Sequence, residues 1–228
     1  MNSLNIFLED KLLLDRALSE VKSNYRPLDP GWYLYKKVCS EKDINKKFED
    51  NFIELVYVTL SAWNMNSRGA KLSDFQKFKN SIRINKNLIL NLSRYKLNNI
   101  SEKDFDVTIK TCELLFESLN LVATDKPRLV TFSKTLHFLL PDLIVPIDRT
   151  YTLKFFYNNT NFIKDLPNQF KKFSEIFTEC SKFAFKAKLE SRIDTNWNQN
   201  IPKVIDNLII GYSKINKTPK TKLKIQNL

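Results

Sequence analysis

Glycine is nearly missing from this chain: three in 228 residues, Gly31, Gly69 and Gly211, with none between the last two. A Walker A loop or a dinucleotide fingerprint needs several glycines at fixed spacing, so neither is present. Histidine is scarcer still. His137 stands alone, which leaves histidine-based ribonuclease or acyl-transfer chemistry a single imidazole to use. The three cysteines, Cys39, Cys112 and Cys180, lie far apart with no C-x-x-C spacing, so neither a disulfide framework nor a thiolate metal cluster is supported. Each reads as a small buried residue. Carboxylates are not gathered for a metal-dependent nuclease either, because Asp142 and Asp148 lack an E-x-K partner. No metal or cofactor is expected. No apolar run approaches the roughly 20 residues needed to span a bilayer, and no basic, then apolar, leader opens the chain. A soluble cytoplasmic protein, away from membranes, is the expectation.

What the chain has in excess is positive charge. Thirty-seven Lys and Arg against 25 Asp and Glu give a formal charge of +12 and a pI near 9.5, a balance that favours polyanions through counterion release. Apolar residues recur at three- and four-residue spacing, and no run alternates with period two, so the expected fold is all-α, compact and bilobed. Residues 1–215 are expected to form one helical unit with a cleft between its lobes, and 216–228 a flexible basic tail.

Helices are expected over 5–21, 48–63, 85–96, 101–119, 128–140, 149–157, 168–190 and 202–212, with another short one capped by Ser73. The stretch 26–31, Arg-Pro-Leu-Asp-Pro-Gly, reads as a break. Ser101 opens a capping box, with Glu102, Asp104 and Asp106 at the positive end of the helix dipole.

The most informative segment is FSKTLHFLLPDLIVPIDRTYT, 132–152. On a helix, Phe132, Leu136, Leu139 and Leu140 fall on one side, whereas Thr131, Lys134 and His137 share the other. One face is expected in the core and the other at a site. Pro141 stops the helix. The apolar loop 142–147 then anchors Asp148 at the start of the next helix, where the dipole favours a negative charge.

A lysine-bearing helix followed by a proline-containing apolar loop that ends in aspartate resembles the active-site segment of the helix-hairpin-helix DNA glycosylases, the superfamily of endonuclease III and the 8-oxoguanine DNA glycosylases. The matching pieces are Ser133-Lys134-Thr135-Leu136-His137-Phe138-Leu139 and Val145-Pro146-Ile147-Asp148-Arg149. The chain departs from the pattern at Lys126-Pro-Arg-Leu-Val130, where the family carries a glycine hairpin that binds phosphate.

The resemblance implies base excision from double-stranded DNA by a monomer. Asp148 takes the place of the catalytic aspartate, and Lys134 that of the lysine that attacks C1′ in members with lyase activity. For Lys134 two roles stay open: a Schiff-base nucleophile, or a phosphate contact. Lys126, Arg128, Ser133, Arg149 and Tyr151 are the expected DNA contacts. The turn after the 48–63 helix, with Trp63, Asn64, Asn66 and Arg68, is expected to line the base pocket together with His137, because an extruded base needs planar walls and polar readers. Its alternative is a plain helix C-cap with Gly69 in the left-handed conformation.

The base itself stays open among oxidised, alkylated, deaminated and hypermodified phage bases, the last implying antiviral defence. A second reading also remains: a non-catalytic nucleic-acid-binding or toxin–antitoxin-type helical module in which Asp148 is only a cap.

Overall fold

The computed structural model describes residues 3–24, 29–65, 71–161 and 165–216. It is all-α, with eleven α-helices and no strand among the described residues. Apart from Asn216, the tail expected over 216–228 lies outside them.

The first expected helix is two. α1 (Ile6–Glu9) ends at an extended Asp10, and α2 (Lys11–Asn24) starts from it, with Asp10 Oδ1 accepting the Leu13 N–H at 2.9 Å. Of the stretch 26–31 read as a break, the described residues 29–31 begin a helix. Asp29 caps α3 (Pro30–Ser40) by accepting the Trp32 N–H at 2.9 Å, and Pro30 sits in the first turn, where its missing N–H costs no bond.

α4 (Asp50–Ala62) is the expected central helix. It closes in a Schellman motif: Met65 N–H bonds to Leu60 O at 3.1 Å and Asn64 N–H to Ser61 O at 2.9 Å. The left-handed residue of this cap is Asn64, at φ 67°; Gly69 lies outside the described residues. With so little glycine, Asn158 (φ 51°) and Lys188 (φ 48°) take the same conformation after α9 (Lys154–Tyr157) and α10 (Leu166–Ala187). Asparagine tolerates this better than most residues.

α5 (Phe75–Ile84) is capped by Asp74, which accepts from Gln76 and Lys77 N–H, and not by Ser73, whose hydroxyl donates to Asn120 O at 2.6 Å. α6 (Lys86–Leu92) and α7 (Glu102–Ser118) follow, and Ser101 Oγ accepts the Asp104 N–H as expected.

α8 (Leu129–Leu139) is the element most unlike its expectation. All eleven of its residues are buried, so the expected contrast between a core face and an exposed face is absent, although the Lys134 side chain, 11% exposed, borders a cavity. α10 supplies one wall around it through stacked Phe170, Phe173 and Phe177, with Phe132 edge-on to Phe173 at 5.1 Å. Phe185 of the same helix points outward.

α11 (Ile201–Ile215) completes the fold against α2, the most extensive helix pair in the protein. The buried apolar residues form one connected core from Leu4 to Ile209.

Gly211 sits where α11 crosses α2. A Cβ built there would lie 2.0 Å from the Ala17 carbonyl oxygen and 2.6 Å from its carbon, so only glycine allows the backbones this close. Gly211→Ala should therefore cost at least about 2 kcal/mol of unfolding free energy by overpacking. Urea denaturation monitored by circular dichroism measures it, and an unchanged midpoint would mean that the helices meet elsewhere.

Candidate functional site

A cavity of about 190 Å³ opens where α3, the end of α4, α8, the loop before Asp148 and the start of α11 converge. For scale, an apolar cavity of about 150 Å³ admits benzene. There is room for one planar ring system, and not for a dinucleotide.

Its walls are aromatic for local reasons. The Asp29 cap orients the first turn of α3 so that Trp32 and Tyr35 stack at 5.2 Å, with rings 17° apart. Trp63, the C-cap residue of α4, stacks on Tyr35 at 5.9 Å and donates its indole N–H to Gly31 O at 3.3 Å. Gly31 makes this possible, since a Cβ there would stand 2.9 Å from the indole nitrogen. Behind them, Trp197 lies 4.5 Å from Trp32. Tyr151 closes another side.

Asp148 reaches this cavity through the polar groups of α8. The Ser133 hydroxyl accepts the Ile147 N–H at 3.0 Å, and His137 Nδ1 bonds to Ile144 O at 2.7 Å, so the apolar loop hangs from a buried helix at two points. A carbonyl can only accept, so Nδ1 carries the proton and Nε2 accepts from the Tyr35 hydroxyl at 2.9 Å.

The Asp148 carboxylate then divides its work. Oδ1 caps a short π-helical stretch, Arg149–Leu153, by accepting from Thr150 N–H at 2.7 Å and Tyr151 N–H at 3.3 Å, while the Asp148 N–H donates to Thr152. Oδ2 faces Lys134 Nζ at 3.4 Å, and the two side chains are 33% and 11% exposed respectively. The Lys134 ammonium also lies 5.2 Å from the centre of the Trp63 ring.

Several expected site residues sit elsewhere. Ser133 and His137 are fully buried and present nothing at the surface, because both hold the loop. Arg128 caps the end of α7, donating to Phe116 O and Glu117 O, and Arg149 donates to Thr160 O at 3.0 Å. Asn64 does not line the cavity, since its backbone is committed to the α4 C-cap. Asn66 and Arg68 lie outside the described residues. Lys126 is exposed. Trp63, Lys134, Asp148 and Tyr151 do come together.

Sequence reasoning missed Lys203 and Asp206, an ion pair 2.6 Å apart that also lines the cavity, each side chain 8% exposed. Lys203 also lies 5.3 Å from the centre of the Tyr35 ring. An i, i+3 pair of opposite charge on an otherwise apolar helix was the available signal.

No protein-family model, no curated protein and no solved structure matches this chain. What the residues do has to be argued from their chemistry.

Burial also sets the protonation of His137, whose pKa is pushed down to about 3 by desolvation, against the hydrogen bond to Ile144. The unfolded chain takes up that proton near pH 6.5, as a solvated imidazole does, and the folded protein does not until about pH 3. Protonation therefore favours unfolding, and stability should fall as pH drops from about 6.5. Since His137 is the only histidine, the upper part of that window belongs to it. Between pH 7 and pH 5 the loss should be roughly 2 kcal/mol, at about 1.4 kcal/mol per pH unit below 6.5. Urea unfolding at the two pH values tests this. His137→Gln should be less stable at pH 7 but nearly flat across the window, and an equally steep variant would assign the proton to another group.

Proposed function

We propose that this protein is a DNA N-glycosylase in which Asp148 assists cleavage of the bond between a base and its sugar. The observation that carries the reading is the divided carboxylate: one oxygen pinned by two backbone N–H groups, the other exposed to a ring-sized aromatic cavity beside an ammonium.

Breaking an N-glycosidic bond leaves positive oxocarbenium character on the sugar as the base departs with the bonding electrons. A carboxylate fixed before the reaction stabilises that charge without having to reorganise. Water then adds at C1′ and gives up a proton, and an abasic site remains. The base must first leave the duplex stack, and the Trp32, Tyr35 and Trp63 rings offer the planar surfaces that an extruded base requires. Lys134 lies within reach of the same sugar position, where it either attacks C1′ or balances the carboxylate. The formal charge of +12 and the exposed Lys126 support a double-stranded DNA partner. The resemblance of residues 133–139 and 145–149 to helix-hairpin-helix glycosylases supports the same assignment of Asp148.

The capping bonds themselves favour a second reading, a non-catalytic nucleic-acid-binding module in which Asp148 serves only the π-helical turn. Asp148→Asn separates the two. Its amide oxygen can still cap the turn, so the fold and DNA affinity should persist. Base release, read as alkali-sensitive abasic sites, should fall by about 10²-fold or more. Failure of the wild type to leave abasic sites in any modified duplex or phage DNA would select the binding module.

A further inference from the structure

The proposed glycosylase leaves the chemical class of its base open, and the α11 wall of the cavity narrows it. Four charged side chains line this small cavity, Lys134, Asp148, Lys203 and Asp206. They sum to zero, so the site as built attracts neither a phosphate nor a cation by net charge.

The two pairs differ in kind. Lys134 and Asp148 are 3.4 Å apart at a partly open edge, whereas Lys203 and Asp206 are 2.6 Å apart and almost wholly buried. Burying an ion pair in a helix otherwise packed with Val204, Ile205 and Leu208 is costly, and apolar residues of similar volume would often serve stability better. Such a pair does offer a ligand a donor and an acceptor side by side, held in register by one helical turn. The Asn200 side chain accepts the Lys203 N–H at 2.8 Å and sets where that turn begins.

The aromatic faces add a second constraint. A cationic base, such as a ring alkylated at nitrogen, gains its binding from the π-faces of aromatic walls. Here those faces already meet the protein's own ammonium groups, Lys134 over Trp63 at 5.2 Å and Lys203 over Tyr35 at 5.3 Å. A cationic ring would have to displace one of these ammonium groups from the ring face that it covers, and so would gain little from the aromatic walls.

We infer that the Lys203–Asp206 pair is the specificity-determining edge of the cavity, accepting a neutral base that carries an N–H beside a C=O and rejecting cationic alkylated bases. Asp206 accepts from the ring N–H and Lys203 donates to the carbonyl oxygen. This assignment takes from the glycosylase reading only that the occupant is a base.

Binding can be read without catalysis, because the chain's three tryptophans, Trp32, Trp63 and Trp197, all border the cavity or stack on its wall. The test is quenching of tryptophan fluorescence at slightly acidic pH by guanosine and by 7-methylguanosine, which share ring and amide edge and differ in charge. Guanosine should bind at least tenfold more tightly. Asp206→Asn should weaken guanosine at least tenfold. Because that variant leaves Lys203 buried beside a neutral partner and folding can suffer, the double variant Lys203→Met/Asp206→Leu, which strands neither charge, should show the same loss with an unchanged circular dichroism spectrum.

Equal or tighter binding of 7-methylguanosine overturns the inference. So does guanosine binding that survives the double variant, or no quenching by either nucleoside. A guanosine preference lost in the variants, with no abasic sites from any DNA, would uphold the recognition edge and sink the glycosylase instead.

Discussion

The complete burial of α8 is the constraint on which the rest of this structure depends. A helix with no solvent face must find most of its polar partners inside the protein, since an unpaired buried group costs about 1–3 kcal/mol; among the described residues only the Thr131 and Thr135 hydroxyls are left without one. Its ends are closed by other elements. Gln169 of α10 accepts from the N–H groups of Arg128 and Leu129, and the buried Lys47 ammonium donates to Phe138 O and Leu139 O. Desolvation lowers the pKa of Lys47 to about 8, the consequence of burying an ammonium for that service. Ser133 and His137 are spent on the loop that follows. Asp148 thus stands where it does because two side chains of a buried helix hold the backbone just before it.

The aromatic cavity grows from the same helix. His137 fixes the Tyr35 hydroxyl, Tyr35 stacks on both Trp32 and Trp63, and Gly31 leaves the gap that Trp63 fills. The sole histidine is therefore a positioning residue. Its imidazole is neutral because it is buried, and being neutral it can accept the tyrosine proton and so hold the wall still. Two of the three glycines mark close approaches, one at this wall and one where α2 meets α11.

Helices announced by caps were legible in the sequence. Ser101 and the start of α7, the apolar run of α4 and the Pro141 stop after α8 were all readable because capping and periodicity are local. Other features were not. The Asp29-Pro30 start of α3 looked like a break, since Arg26, Pro27 and Gly31 frame it with breaker residues. The two-faced reading of α8 held only for Lys134, which borders the cavity; Ser133 and His137 are spent on the following loop and the Thr131 hydroxyl is buried without a partner, which no helical projection can show. Lys203 and Asp206 were invisible as site residues for a related reason: only the packing of α11 brings them to a cavity shared with residues almost sixty positions earlier. No helix among the described residues is long and apolar enough to cross a membrane, which does follow from composition.

The two ion pairs on one cavity illustrate how environment divides labour between identical chemistries. Lys134 and Asp148 are held at 3.4 Å, with a third of the carboxylate exposed, so a ligand atom can come between them at little cost. In high dielectric, such a pair is worth only about 1 kcal/mol. Lys203 and Asp206, at 2.6 Å and nearly dry, resist separation, because parting them would leave a buried charge uncompensated at about 3–5 kcal/mol. A reacting acid must be able to exchange its partner for a developing charge, whereas a recognising edge must keep its shape while ligands come and go. On the proposed glycosylase reading, the looser pair therefore belongs with the chemistry and the tighter one with the choice of ligand.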